Sequence, residues 1–354
     1  MGQYIIRRLL MLPLILFGVT LLIFGMLQFL SPEERAALYI KDIPKNPQAL
    51  EGVIKRYGLD QPIYVQYWNW MVGVQDPNTG ERTGGVLRGD LGYSRTSSVP
   101  VAELIRIRFP ATLELALWSV LPIVLVGVWL GVLAAMHHNG LFDQIARVFS
   151  IIGWSFPTFV FGLLVLMIFY AKLGWFPPGR LSDWAAAVVR TPEFHNYTKL
   201  ITVDALLNGR VDIFWDALRH LILPIITLSY LSWALLLRVT RSSMLEVLRQ
   251  NYVTTARAKG LKESVVIRRH VLRNALIPVA TITGFVVIGL LNGVVITETV
   301  FNYPGIGSAV AKAALQLDVV TVLGMTLFTG TIIVVMNLVV DVMYAVIDPR
   351  VRLH

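Results

Sequence analysis

Apolar residues in this chain fall in long unbroken runs, not in the alternation of a strand or the narrow stripe of a surface helix. Nearly uncharged stretches of about 20 residues recur, the length an α-helix needs to cross about 30 Å of hydrocarbon. They predict an all-α membrane protein with six spans, at 9–30, 111–136, 148–171, 220–240, 278–300 and 322–346, each bounded by charges or turn residues. Between the first two runs lies the longest polar stretch, 31–110, and its periodicity is helical in two places. Leu50, Val53, Ile54 and Tyr57 fall on one face, with Gly58 placed to end that helix in the left-handed conformation. A second helix follows Asp60, a candidate cap, with Pro62 in its first turn and Tyr64, Tyr67, Trp68 and Met71 as one aromatic face. Two roles fit the pair: packing on the outer mouth of the membrane domain, or meeting an external partner.

Composition agrees with the pattern. Of 354 residues 55% are hydrophobic and 15% charged, far too apolar for a soluble domain of this size. Cysteine is absent, which excludes disulfides, thiolate zinc sites and a cysteine nucleophile. A net charge of +9 would point to nucleic acid in a soluble protein. Here the charges sit between the spans, so lipid, and no nucleic acid, is the expected partner.

Arg7 and Arg8 precede the first run as in a secretion leader, but no small-residue cleavage site follows and the run continues past Leu30, which predicts a retained helix. A plain count of Lys and Arg favours the outer segments if the N-terminus is cytoplasmic. However, 31–110 carries almost as many acids as bases, and long loops translocate largely regardless of charge. The short, basic 241–275 segment therefore decides, and both termini are expected in the cytoplasm of a multi-pass cell (inner) membrane protein. The predicted organisation is a first transmembrane helix, 1–30; an extracytoplasmic insertion, 31–110; a five-helix core, 111–348, containing a cytoplasmic segment, 241–277; and a cytoplasmic tail, 349–354. The outer stretch 182–215 has no role assigned by its residues.

Several residues inside the spans are candidates for a substrate path. Pro122, Pro157, Pro224 and Pro278 lie within or at the start of spans, and Ser155 and Thr158 flank Pro157, where a kink is expected. Such a kink either lines a path or only packs. Acids are few: Glu114, Glu298 and Asp341, all near predicted span ends where water or headgroups would solvate them. Glu298, Asn292 and Asn337 are path candidates, with hydrogen bonding between helices as the alternative. His137 and His138 are adjacent and cannot both face one site from a helix, so no metal site is expected. The sequence has no Gly-x-x-x-x-Gly-Lys-Ser/Thr loop, so nucleotide binding of the usual phosphate-loop kind is excluded. An ion-coupled secondary transporter would want acids near the bilayer midplane and an internal repeat, and an intramembrane enzyme a paired nucleophile and base. None of these is visible.

The cytoplasmic segment carries the most specific pattern. Asn251 is a candidate helix cap, Tyr252 to Lys259 are helix-compatible, and Gly260 can supply a left-handed end, with Arg257 and Lys259 in the last turn where the dipole favours cations. Two turns alone are unstable in water, so this helix must dock on protein or on anionic lipid. Tyr252-Val253-Thr254-Thr255-Ala256-Arg257-Ala258-Lys259-Gly260-Leu261 closely resembles the coupling loop of ABC importer permeases, nearest to the dipeptide/oligopeptide/nickel subfamily. The likeness continues through His270 to Pro278, Glu298 to Phe301, Pro304 to Gly307 and Asp348-Pro349-Arg350. Upstream it takes in Gly58 to Pro62, Gly89 to Gly92, Pro110 to Leu115 and Pro157 to Phe159. Thr254, Thr255 and Ala256 stand where the general motif has Glu-Ala-Ala, and the interval from Gly260 to Pro278 is longer than in sugar-type permeases, as in the peptide subfamily.

The resemblance implies a type I ABC importer permease fold. It implies a coupling helix made by Asn251, Tyr252, Thr255, Ala256, Arg257, Ala258, Lys259, Gly260 and Leu261, seated on a separate ATPase. It also implies a homologous permease subunit, one or two ATPase subunits that bind ATP and Mg, an extracytoplasmic substrate-binding protein, and no cofactor on this chain. The implied cargo is short peptides, with nickel or oligosaccharides as alternatives.

Overall fold

The computed structural model describes residues 2–40, 46–75, 80–291 and 294–347. In hydrocarbon the backbone has no water to bond, so each apolar run closes its own hydrogen bonds as a helix. Among the described residues five helices are long and apolar enough to cross a membrane: α1 (Gly2–Leu27), α4 (Val101–Met136), α9 (Val211–Leu248), α11 (Glu263–Leu291) and α14 (Val319–Ile347). Shorter helices include α2 (Pro47–Tyr57), α3 (Ile63–Val72), α7 (Asp183–Val189), α8 (Ile201–Leu207), α10 (Asn251–Ala258), α12 (Val295–Val300) and α13 (Ile306–Leu315).

The predicted span 148–171 is not one straight helix. It is a pair, α5 (Leu141–Ser155) and α6 (Thr158–Lys172), meeting at 102°, and the count of spans reaches six when the pair is taken as one. Pro157 lacks an N–H and pushes the residue before it out of the helical region, and Phe156 is extended, with ψ 122°. Three other spans begin earlier than expected, the fifth at Glu263 and not 278. α4 starts at Val101 and carries Pro110 inside it, and its 36 residues, at about 1.5 Å each, exceed the hydrocarbon thickness. α9 starts at Val211, not 220. The fifth predicted span, 278–300, is divided between α11 and α12.

The chain divides into two compact units, one of residues 2–110 and 305–336, the other of 111–304 and 337–354. In the first, α1 packs on α3: Ile23, Phe24 and Leu27 meet Trp70 and Tyr67, and the Tyr67 and Thr20 hydroxyls lie 2.8 Å apart. The inward face of α3 is Gln66, Tyr67 and Trp70, whereas Tyr64 and Trp68 are 71% and 56% exposed, so the expected single aromatic face is split. Asp60 does not cap α3, whose first turn follows Pro62 without a side-chain cap. α2 ends as predicted, with Gly58 at φ 64°. A second cluster joins Val101, Leu104 and Ile105 to Ile306, Val320 and Met325. Beside it the buried carboxylate of Asp318 accepts hydrogen bonds from the Ser94 hydroxyl, the Thr96 N–H and the Thr321 hydroxyl (3.2, 2.9 and 2.7 Å). Burial opposes its ionisation, yet these donors hold its pKa below the ordinary aspartate value.

In the other unit α9 is central, packed by α5, α6, α8 and α11. Gly127 and Gly131 of α4, one helical turn apart, let α9 approach closely: a Cβ at Gly131 would lie 2.5 Å from Thr240 Cβ and 2.9 Å from the Leu237 carbonyl. Neither neighbour is a flexible tip. Gly131→Val is therefore expected to cost about 1–3 kcal/mol through overpacking, read as a lower melting point of the purified transporter in detergent. The stretch 182–215, without a role from its sequence, is a folded cap of α7, α8 and the first turns of α9 around Ala185, Phe194, Ile201, Ala205 and Ile213. Two buried acids organise it. Asp204 accepts from the Thr198 and Lys199 N–H groups, both at 2.8 Å, and Asp216 from the Ser182 N–H and hydroxyl at 2.8 and 2.6 Å.

Candidate functional site

The segment singled out by its sequence folds as an eight-residue helix, α10, directly after α9. Asn251 is its first residue, not its cap. Gln250 holds the cap position, its carbonyl accepting from the Val253 and Thr254 N–H groups, and no side chain caps the end. Gly260 takes φ 75°, the left-handed conformation expected of it, and its N–H donates to the Arg257 carbonyl at 2.9 Å.

α10 docks on its own chain along one edge. Val253 and Ala256 are buried with Met244 of α9, Ala135 of α4, and Val266, Ile267, Val271 and Ala275 of α11. Ala256, counted among the coupling residues, thus faces inward. Asn251, Tyr252, Thr255, Arg257, Ala258, Lys259, Gly260 and Leu261 are exposed. Arg257 forms a two-pronged ion pair with Glu263 (Nη2 to Oε1 2.6 Å, Nε to Oε2 3.1 Å), which raises the arginine pKa and ties α10 to the start of α11. On the same edge the Asn274 amide donates to the Tyr252 hydroxyl at 3.1 Å.

The platform beneath α10 is fastened by a charge cluster that sequence reasoning missed. Asp143, fully buried at the start of α5, accepts from the Asn139 N–H (3.0 Å), from Arg147 (3.0 Å) and from both Nε and Nη2 of Arg241 on α9. The turn between α4 and α5 is thereby pinned to α9, which runs straight into α10. A rigid body that ends in a small helix with one edge buried and one edge open can pass on a movement applied to the open edge.

A second polar centre lies away from α10 and is built on Glu114. This side chain was expected to be solvated, but the residue is 1% exposed. Its Oε2 accepts from Nε and Nη2 of Arg180 at 3.0 and 2.7 Å, and its Oε1 from the Thr202 N–H and hydroxyl at 2.7 and 2.9 Å. Arg180 Nη2 also donates to the Lys199 carbonyl at 2.9 Å, so α4, the 182–215 cap and the loop before it converge here. Burial works against the arginine's charge, but Glu114 and Tyr303 more than offset this and raise its pKa. Burial next to Glu114 keeps the Tyr303 phenol far above its usual pKa, hence protonated and able to donate. No signal in the sequence marks Arg180 apart from its place after Pro177-Pro178-Gly179.

The path candidates are not gathered into one site. Ser155 and Thr158 flank the sharp corner between α5 and α6, Ser155 exposed and Thr158 half-buried. Glu298 on α12 is fully buried and accepts from the Thr112 hydroxyl at 2.8 Å, which again overturns the expected solvation. Its helix packs against α6 through Val300 and Phe301 near Gly162. Asn337 is exposed on α14. Asn292, the Asp348-Pro349-Arg350 motif and the tail 349–354 lie outside the described residues.

The family described as "Binding-protein-dependent transport system inner membrane component" matches residues 127–353, and its N-terminal counterpart matches 1–116. Relatives match along their whole length. The di/tripeptide transport system permease protein DppB of Pseudomonas aeruginosa is 39% identical over 353 residues, covering 99% of both chains. The oligopeptide transport system permease protein AppB of Bacillus subtilis is 38% identical over 354 residues, covering 99% of this chain and 100% of its own. The dipeptide transport system permease protein DppB of Escherichia coli K12 is 36% identical over 353 residues, with 99% of each covered. With five apolar spans and one broken pair folded from a sequence that these families cover almost end to end, the chain belongs to the inner membrane components of binding-protein-dependent transport systems.

Proposed function

We propose that this chain is the translocating subunit of an ATP-driven importer, carrying di- to oligopeptides handed over by an extracytoplasmic binding protein. The observation that carries the reading is α10: a two-turn helix docked through Val253 and Ala256, with Tyr252, Thr255, Arg257, Lys259 and Leu261 on its open edge. That open edge seats in an ATPase subunit, one or two of which bind ATP and Mg, and a homologous permease completes the path. This chain needs no cofactor of its own. Both termini lie in the cytoplasm. Peptide cargo follows the names of the three full-length relatives above, each a permease of a peptide transport system.

The test is uptake of a mixed pool of di- to oligopeptides into proteoliposomes that contain the chain with its neighbouring subunits and binding protein. Accumulation that requires both ATP and the binding protein is the expected result. ATP hydrolysis without peptide uptake would overturn the cargo and redirect it to nickel or oligosaccharides. Uptake driven by an ion gradient with no ATPase present would overturn the importer itself.

A further inference from the structure

Within the unit of residues 2–110 and 305–336, an open cavity of about 150 Å³ lies where two spans leave the membrane. Leu27 ends the α1 span and Leu30 follows it, and Val319 and Val320 begin the α14 span, so the cavity sits at the level where hydrocarbon gives way to water. Its depth is apolar, because Leu27 and Val320 are buried. Its open side is charged, because Glu34 and Arg95, both exposed, line it too. Leu27, Leu38 and Val320 also line a separate void of about 10 Å³, room for roughly one water. Leu317, in the lining, is 85% exposed and holds the left-handed conformation (φ 53°), which leucine seldom adopts, and Phe29, between the lining residues Leu27 and Leu30 in sequence, is 92% exposed.

The charges set what could enter. Arg95 has no hydrogen bond or ion pair among the described residues, so its planar guanidinium is available to a phosphate. Glu34 gives one carboxylate oxygen to the Ser31 N–H at 2.9 Å and keeps the other. Asp318, the third charged residue in the lining, is taken up by Ser94, Thr96 and Thr321 but still adds its negative potential. Two carboxylates against one guanidinium disfavour a ligand with net negative charge and favour one that carries a cation beside its phosphate.

We propose that this cavity is a site for the headgroup of an ethanolamine phospholipid, with the phosphate on Arg95, the ammonium on Glu34, and the acyl chains lying outside along Phe29 and Leu317. The lipid would hold the ends of two spans together at the membrane boundary. The proposal depends on the chain spanning a membrane and not on the cargo it carries.

The experiment reconstitutes the complete transporter in nanodiscs of mixed phosphatidylethanolamine and phosphatidylglycerol, then counts by native mass spectrometry the lipid retained after mild delipidation. Glu34→Gln keeps a side chain that can still accept from the Ser31 N–H and close the cap of the short Pro32–Arg35 helix, and Arg95→Ala lies on the surface, so both variants should remain folded. The expected result is selective retention of one phosphatidylethanolamine per chain, lost in each variant. Equal retention of phosphatidylglycerol, or retention unchanged in both variants, would overturn the site and leave only surface lipid. Displacement of the retained lipid by millimolar free dipeptide would also overturn it, since the cavity would then take any small zwitterion.

Discussion

Arg180→Ala is expected to destabilise the transporter by about 3–5 kcal/mol, the cost of stripping one partner from a buried ion pair. The reason is what remains: Glu114, 1% exposed, keeps the Thr202 N–H and hydroxyl and Tyr303, but loses both charge-assisted bonds of its Oε2. The reverse change should cost less. With Glu114→Ala the guanidinium, 18% exposed as a side chain, can still reach water and keeps its bond to the Lys199 carbonyl. An apolar pair of similar volume, Glu114→Leu with Arg180→Met, should recover most of the loss, since replacing both partners removes the uncompensated charge. Thermal unfolding of the purified complex in detergent, run on all four proteins, gives the ordering directly. If Arg180→Ala melts with the parent, the pair does not hold the 182–215 cap to α4. If the double replacement is no better than the single one, the site needs its charges for something other than stability.

Gly260→Val is the second large effect, and it acts through backbone, not bulk. Space around the glycine is open, with no atom within 4 Å of an added Cβ, so the variant should insert and fold. Its φ of 75° is the obstacle: a non-glycine residue there costs about 1–2 kcal/mol, more for a β-branched one, enough to lower the population of the native turn by about 5–30-fold. What moves is the end of α10 together with Leu261 and Lys262, next to the Arg257–Glu263 pair that joins it to α11. Under the proposed role, ATP hydrolysis should continue while peptide uptake per ATP falls by a similar factor. Gly260→Asn, which tolerates this conformation better, should lie between. Normal uptake by the valine variant would sink the coupling role for this turn.

The two effects are separable because they belong to different parts of one unit. The first concerns whether the cap 182–215 stays on α4, and the second concerns how a movement enters at α10. A stability assay reads the first and a ratio of uptake to hydrolysis reads the second.

The sequence by itself determined the class of the protein, the approximate place of its spans though not where the middle four begin, and the short helix with its glycine end. These depend on local facts. A run of about 20 apolar residues has no stable form in lipid other than a helix, and a residue at positive φ selects glycine whatever surrounds it. Local pattern also placed the break at Pro157, since proline constrains the residue before it in any context.

Tertiary structure decided the rest. The angle of 102° between α5 and α6 depends on what each half packs against, and no residue near Pro157 encodes it. Glu114 and Glu298 looked solvated because both stand near the ends of apolar runs. Their burial comes from Arg180, Thr202 and Thr112, residues far away in sequence. The same holds for the inward turn of Trp70, fixed by α1, and for Asp143, whose arginine partner on α9 comes nearly 100 positions later. Polar groups buried in a membrane protein must be satisfied by whatever the fold brings within reach, so their partners can be read only once the helices are packed.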